Sequence, residues 1–282
     1  MTKPTIAVLF GGRSPEYSVS LQSAHAVLTH LDPEKYTVLP LGITRAGQWF
    51  LYHGPYEAIA QDAWDEQPDR LTPVVISQDR AVHGLLRLTA QGVQPLALDY
   101  AFPILHGKNG EDGTVQGLLQ LSGIPYVGCA ALASAVCMDK AVSHTLLSAA
   151  GIGQAKYLWF YASDYAEQAA QVRERIASEL GGYPVFVKPA NAGSSVGVSR
   201  VDRGDDLDAA VAKAAHEDWR VVIEECITGR EVECAVLGNE NPEAALVGEI
   251  GASAAFYDYD DKYINGTSQL FIPARLSEEV ME

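Results

Sequence analysis

Cysteine is scarce in this 282-residue chain, with four in all. Cys129, Cys137, Cys226 and Cys234 make no Cys-x-x-Cys pair and have no histidine cluster near them. That spacing argues against zinc and predicts reduced thiols packed in the core. Basic residues are short too, 20 Lys plus Arg against 36 Asp plus Glu, for a formal charge of −16. Phosphate contacts supply most nucleic-acid affinity, so this balance excludes a duplex-binding surface, and any anion must be held locally. No apolar run approaches about 18 residues. Met1-Thr-Lys-Pro leads straight into a strand without a signal-peptide pattern, so no membrane partner is expected and the expected compartment is the cytoplasm. A Walker loop and a Gly-x-Gly-x-x-Gly turn are both missing, which disfavours the usual nucleotide folds. Internal repeats and low-complexity tracts are missing as well.

What is present is a lysine at the end of a buried strand, followed by a loop of small residues: Phe186-Val-Lys-Pro-Ala-Asn-Ala-Gly-Ser-Ser-Val-Gly-Val198. The apolar run 184–187 reads as an interior strand, and Lys188 closes it with a charge that a core does not tolerate unpaired. Gly193, Ser194, Ser195 and Gly197 let the backbone approach a ligand closely and aim several N–H groups at it. Together they predict a bound nucleotide. The same loop matches the Gly-x-Ser-x-Gly pattern of a hydrolase elbow with Ser195 in it, but an elbow needs a helix straight after the serine. Here 196–201 alternates like the return strand of a hairpin, and His216 is the only histidine downstream. An idle Gly/Ser turn is the remaining plain reading.

The length calls for two or three packed domains. Residues 1–128 alternate strand and helix as in a parallel sheet: a strand at 5–10 ended by Gly11-Gly12, a helix from Ser18, strands at 37–43 and 98–105, a helix at 114–121 and a strand at 124–127. The stretch 47–89 reads as inserted β-hairpins. Residues 129–220 carry a helical pattern at 132–150, a strand at 157–161 and an amphipathic helix at 166–180. From Val221 to Glu282 the chain turns to strands, at 221–225, 231–237 and 244–250. Ser277 with two glutamates after it is the start signal of a helix, and the chain stops there, so the sequence is expected to be cut short.

Six separated blocks remain distinctive: Gly11-Gly-Arg-Ser-Pro-Glu-Tyr-Ser-Val-Ser20, Leu105-His-Gly-Lys-Asn-Gly-Glu-Asp-Gly-Thr114, Met138-Asp-Lys140, the 186–198 loop, Ile223-Glu-Glu-Cys-Ile-Thr-Gly-Arg-Glu231 and Phe256-Tyr-Asp-Tyr-Asp-Asp-Lys-Tyr263. In this order they resemble the D-alanine–D-alanine ligases, and the resemblance runs over 6–273. It implies an α/β chain: an ATP-grasp fold of two α+β subdomains, at 129–220 and 221–282, preceded by a Rossmann-like parallel-sheet domain at 1–128. It also implies a reaction. ATP phosphorylates the carboxylate of one D-alanine, and the amine of a second attacks the acyl phosphate, giving a peptidoglycan precursor.

The resemblance assigns roles by position. Lys140 and Lys188 would neutralise the ATP phosphates while the amides of Ser194, Ser195 and Val196 close over them. Glu224, Glu225, Cys226 and Ile227 would form a hinge facing the adenine, and Glu231 would bind the ribose. Glu16 would hold the ammonium of the first D-alanine and bond Ser194 and Tyr263; His106 would lie near that substrate's carboxylate. Lys262 and Tyr263 would sit in a lid over 250–270 that excludes water from the acyl phosphate. A tyrosine at 263 implies an amide product, since ligases with phenylalanine there tend to accept a hydroxy acid. Homodimers are common in the family.

Relatives in this family run past the position of Glu282, where the resemblance puts a transition-state arginine and the ligands of two Mg²⁺ (or Mn²⁺) ions. The 282 residues alone are therefore expected to be close to inactive. The alternatives are another ATP-grasp carboxylate–amine ligase, a serine hydrolase using Ser195, and a nucleotide-binding module without chemistry.

Overall fold

A computed structural model of the chain describes residues 3–251 and 269–281. Its first sheet is built around β1 (Thr5–Gly11), which runs parallel to β2 (Thr37–Ile43) on one side and to β7 (Tyr100–Pro103) on the other. Ala7 and Leu9 enter one core cluster, Val8 and Phe10 another. Burial on both faces is why this strand reads as an unbroken apolar run. Between β2 and β7 the chain adds β3 (Trp49–Tyr52), a helical turn α2 (Glu57–Ala60), β4 (Leu71–Ile76), β5 (Gly84–Thr89) and β6 (Gly92–Ala97). These four strands pair antiparallel and continue the same sheet, in the order β6-β5-β4-β3-β2-β1-β7. The expected hairpins at 47–89 thus widen the sheet, and its parallel part is confined to β2-β1-β7. The strand expected at 124–127 reduces to a single parallel bridge, Ala101 to Tyr126.

Helix α1 (Tyr17–His30) packs on one face through Tyr17, Leu21, Ala24 and Leu28. Trp64 seals that core at 0% exposure, edge-on to Phe10 with centroids 5.0 Å apart, and donates from Nε1 to the Tyr17 hydroxyl at 2.8 Å. Helix α3 (Thr114–Ser122) buries Val115 and Leu119 on the other face.

The helical pattern at 132–150 is two helices, α4 (Ala131–Met138) and α5 (Lys140–Ala149). Asp139 separates them: its backbone is extended, and its side chain accepts from the Val142 amide at 3.1 Å as the N-cap of α5. A capping aspartate inside an apolar-periodic stretch outweighs the periodicity. Beyond lie β8 (Tyr157–Tyr161), α6 (Tyr165–Glu179), β9 (Val185–Pro189), β10 (Ser199–Val201), α7 (Leu207–Glu217) and β11 (Arg220–Glu225). The strands form an antiparallel sheet in the order β10-β9-β11-β8. One face presents Leu158, Phe160, Val185, Val187, Val221 and Ile223 to α6 and α7.

The last strands are short: β12 (Glu231–Glu233), β13 (Val236–Leu237), β14 (Glu243–Ala244), β15 (Gly248–Gly251) and β16 (Gln269–Phe271), followed by α8 (Glu278–Met281). Continuous strands were expected at 231–237 and 244–250. The register slips by one residue between the pairs Glu233–Gly248 and Val236–Ala244, and the resulting bulge divides each strand in two.

The four thiols are free, as expected, but they are not core groups. Cys129, Cys137 and Cys234 are exposed and Cys226 is half-buried. Cys137 lies on α4, which buries only Ser134, and Cys234 lies at the exposed bulge. Among the described residues no helix is long and apolar enough to cross a membrane.

Candidate functional site

Alternation along the central sheet sets the site. With Val185 and Val187 directed into the core, Phe186 and Lys188 fall on the opposite face, together with Val222 and Glu224 of β11 and Tyr157 of β8. Helix α5 covers part of this face through Ala141, which packs with Ala190, Val222 and Tyr157. Lys188 Nζ lies 2.5 Å from Glu224 Oε2, and both side chains are largely buried. The other carboxylate oxygen, Oε1, is 3.1 Å from His144 Nε2. Burial by itself would push the Glu224 carboxyl up; Lys188 and His144 outweigh it and hold the group below the usual carboxylate range.

Lys140 reaches the same region from the start of α5. Its amide donates to Ala190 O at 3.0 Å and its ammonium to Ala192 O at 2.6 Å, which staples the helix to the loop after β9. Burial, and then repulsion from Lys188, pull the Lys140 ammonium down to about 8. Asp139 organises the junction. Besides capping α5 it accepts from the Arg220 guanidinium and from Asn191 Nδ2 at 3.1 Å, while the Asn191 amide and Nδ2 donate to Asp218 at 2.9 and 3.0 Å. The Met-Asp-Lys block thus contributes a cap and an anchor as well as a cation.

The 193–197 loop is a left-handed turn: φ is +47° at Ser194, +60° at Ser195 and +72° at Gly197. Two successive non-glycine residues in that region store backbone strain. The turn directs Ser194 Oγ to donate to Glu16 Oε1. Glu16 stands at the N-cap position of α1, just beyond the end of β1, with no side-chain bond to the helix, and is 3% exposed. Burial raises its carboxyl, assisted by the nearby Glu111 charge and opposed by the Ser194 bond, His106 and Lys140. Two glycines make room for it. A methyl group on Gly193 would stand 3.0 Å from both carboxylate oxygens, and one on Gly107 would stand 1.9 Å from Oε2.

Gly107 belongs to a loop that holds its own shape. Its amide donates to Glu111 Oε2 at 2.7 Å, the Asn109 and Thr114 amides donate to the two oxygens of Asp112, and Gln116 Nε2 donates to Gly110 O at 2.8 Å. His106 Nε2 is 3.0 Å from Ser23 Oγ. The histidine also lines a cavity of about 230 Å³ with Gly12, Ile43, Trp49, Leu105 and Leu118, at the carboxyl ends of β1 and β2, where open α/β sheets bind ligands.

The structure therefore gathers Glu16, Ser194, Lys140, Lys188 and Glu224, with His106 beside the Glu16 loop. Glu225 lies at the end of β11, its carboxylate accepting from the Lys156 amide at 2.7 Å. Cys226 is half-buried and Ile227 exposed on the segment leading to β12, which opens with the exposed Glu231. The Val196 amide, expected to face a phosphate, donates here to Gly193 O at 2.9 Å and closes the turn. Lys262 and Tyr263 lie outside the described residues, as does most of the expected lid.

Two family models cover almost the whole chain. One is described as the D-ala D-ala ligase N-terminus and matches residues 5–129; the other, the D-ala D-ala ligase C-terminus, matches 146–282. The chain belongs to the D-alanine–D-alanine ligase family. A D-alanine–D-alanine ligase of Caldicellulosiruptor bescii is 46% identical over 282 residues, which is 100% of this chain and 76% of the relative. One from Geobacillus kaustophilus is 46% identical over 283 residues, 99% of this chain and 76% of the relative. Among solved structures, the VanG D-Ala:D-Ser ligase of Enterococcus faecalis superposes with a TM-score of 0.86 at 45% identity, covering 99% of this chain and 79% of that one. The D-alanine–D-alanine ligase of Coxiella burnetii gives 0.78 at 36% identity, over 88% and 71%. The family's reaction is an ATP-dependent ligation, and its fold, the ATP-grasp, is the fold found here.

A serine hydrolase finds no support in this family's site. The chain leaves Ser195 through a turn into β10 rather than into a helix, and His216 is surface-exposed beside Glu217, 2.9 Å away. Sequence reading overlooked His144 and Asp139. His144 had a signal, since it follows Lys140 by four residues on one helix and so shares its face.

Proposed function

We propose that these residues serve the joining of two D-alanines. ATP transfers its γ-phosphoryl group to the carboxylate of the first, the amine of the second attacks the acyl carbon, and phosphate leaves. One observation carries the reading: a buried carboxylate, Glu16, and two inward ammonium groups, Lys140 and Lys188, converge from three elements around one strained loop. The carboxylate suits a substrate ammonium, and the lysines suit polyphosphate. Lys188 already holds an anion, Glu224, so its position fits a phosphate oxygen. We assign the backbone of Glu224 to Ile227 to the adenine edge, Glu231 to the ribose and His106 to the first substrate's carboxylate. We also take 1–128, 129–220 and 221–282 as the three working units. The family uses Mg²⁺. Among the described residues no three His, Cys, Asp or Glu gather as a metal site.

The test is ADP and dipeptide formation from ATP, Mg²⁺ and D-alanine, with one ADP expected per D-alanyl-D-alanine. The likeness to a D-Ala:D-Ser ligase motivates a second reading, in which D-serine is the second substrate. Competition among D-alanine, D-serine and D-lactate separates them; a product dominated by D-alanyl-D-serine would replace the first reading. Tyr263→Phe is expected to raise D-lactate use relative to D-alanine, and unchanged competition at neutral pH would remove Tyr263 from the specificity argument.

Gly107→Ala tests the placement of Glu16. The new methyl overlaps Oε2, and φ is +69° at this position, so the carboxylate must move. A loss of about one to two orders of magnitude in kcat/KM for D-alanine is expected, from strain of roughly 1–3 kcal/mol. ATP binding should change little. Kinetics equal to the native enzyme would show that the contact does not set the carboxylate.

A further inference from the structure

His144 is wedged between two acceptors. Its ring stacks on Tyr157 with centroids 4.2 Å apart and planes 13° from parallel, which fixes its orientation. Nδ1 lies 2.5 Å from Gln154 Oε1, and Nε2 lies 3.1 Å from Glu224 Oε1. The Gln154 amide cannot be turned round. Its Nε2 is 2.8 Å from the backbone carbonyl of His144, which only accepts, and 2.7 Å from Ser148 Oγ. Gln154 therefore presents an oxygen to Nδ1, so Nδ1 carries a proton. On the other side stands a carboxylate whose second oxygen is 2.5 Å from the Lys188 ammonium, and which is therefore ionised. A neutral ring protonated on Nδ1 would turn its Nε2 lone pair toward that carboxylate. Both nitrogens must donate.

We infer that His144 is a positioning residue for nucleotide binding: an imidazolium that stays paired with Glu224 when Lys188 turns from that carboxylate to the phosphates of ATP. The inference rests on the reading of Lys188 and Glu224 as nucleotide-site residues. Without a cation on Oε1, drawing Lys188 away would strip a buried carboxylate of its hydrogen-bonded counter-ion and leave it only the charge of Lys140, which does not bond it, and that is costly. With the imidazolium in place the carboxylate remains compensated and Lys188 is free to move. The groups facing the ring are Glu224 from β11 with Lys188 from β9 behind it, Tyr157 from β8, Gln154, and Lys140 one turn back on α5.

Two measurements on the 282-residue chain test this. ¹⁵N NMR of histidine-labelled protein without nucleotide, at about pH 7.5, is expected to show both His144 ring nitrogens protonated, the signals being assigned by their loss in His144→Lys. A neutral tautomer would overturn the inference. ATP affinity by calorimetry is expected to fall about tenfold in His144→Gln and His144→Leu, and to stay within about threefold of native in His144→Lys, which restores a cation. The glutamine variant keeps a hydrogen-bonding side chain at the position, so the comparison survives if the leucine variant fails to fold. Native-like affinity in His144→Gln, or no rescue by lysine, would overturn the inference alone. Failure of the native chain to bind ATP would overturn it together with the nucleotide reading.

Discussion

Glu16→Gln is expected to lower kcat/KM for D-alanine by about a thousandfold, the scale at which one partner of a buried, hydrogen-bonded charge pair is lost. Glutamine has nearly the same shape, and its amide oxygen still accepts from Ser194. What disappears is the negative charge, in a site 3% exposed where water cannot substitute for it. The pH dependence gives a second readout. Burial above all, then Glu111, raise the Glu16 carboxyl above its ordinary value. The ammonium-binding charge is therefore fully present above the raised value and lost as pH falls through it. The native enzyme should show that acid limb in kcat/KM for the first D-alanine, and the glutamine variant should lack it. Steady-state kinetics across acid to neutral pH decide the matter. A variant within tenfold of native would remove Glu16 from substrate binding.

Lys188→Ala should weaken ATP binding by about a hundredfold, a loss of roughly 2.7 kcal/mol. The lost contact is one charge-assisted bond to phosphate, and the vacancy also leaves Glu224 facing the nucleotide. Its effect on folding stability should be smaller than the 3–5 kcal/mol typical of breaking a buried pair, because His144 remains on the other carboxylate oxygen. Calorimetry over pH adds a directional check. Lys140 is held at about 8 by burial first and by Lys188 second. Its attraction for phosphate is present below that pH and lost as pH rises through it. Removing Lys188 removes a repulsion, so the alkaline decline in ATP affinity should move to higher pH. A decline that stays in place, or moves down, would contradict the coupling of the two lysines.

Much of the fold was readable one strand at a time. The runs at 37–43 and 157–161 fold as β2 and β8, and the run 184–187 with its terminal lysine folds as β9 one residue out of step. Strong apolar runs buried by neighbours leave little choice of conformation. The helical stretch at 132–150 folds as two helices, and its periodicity does not show the break, because periodicity records which face is buried and says nothing of a cap. Only the three-dimensional position of Asp139, between Arg220 and Asn191, shows why the chain breaks there. The one-residue slip near Cys234 was invisible for the same reason: a bulge is a property of two paired strands.

The site divides along similar lines. A lysine closing an apolar strand demands an anion wherever the strand lies, so the chemistry of Lys188 follows from its neighbours in sequence. Which anion it meets does not. Glu224 is 36 residues away, and it reaches Lys188 because β9 and β11 pair antiparallel with Val222 opposite the lysine. Ser194 meets Glu16 across 178 residues, through a left-handed turn and the missing side chains of Gly107 and Gly193. Residue types and local spacing settled the kinds of charge this protein carries and the elements that carry them. The pairing of those charges, and the place of His144 between Gln154 and Glu224, arose only when sheet register and helix docking brought distant groups within hydrogen-bond reach, because such bonds act over about 3 Å and sequence distance does not enter them.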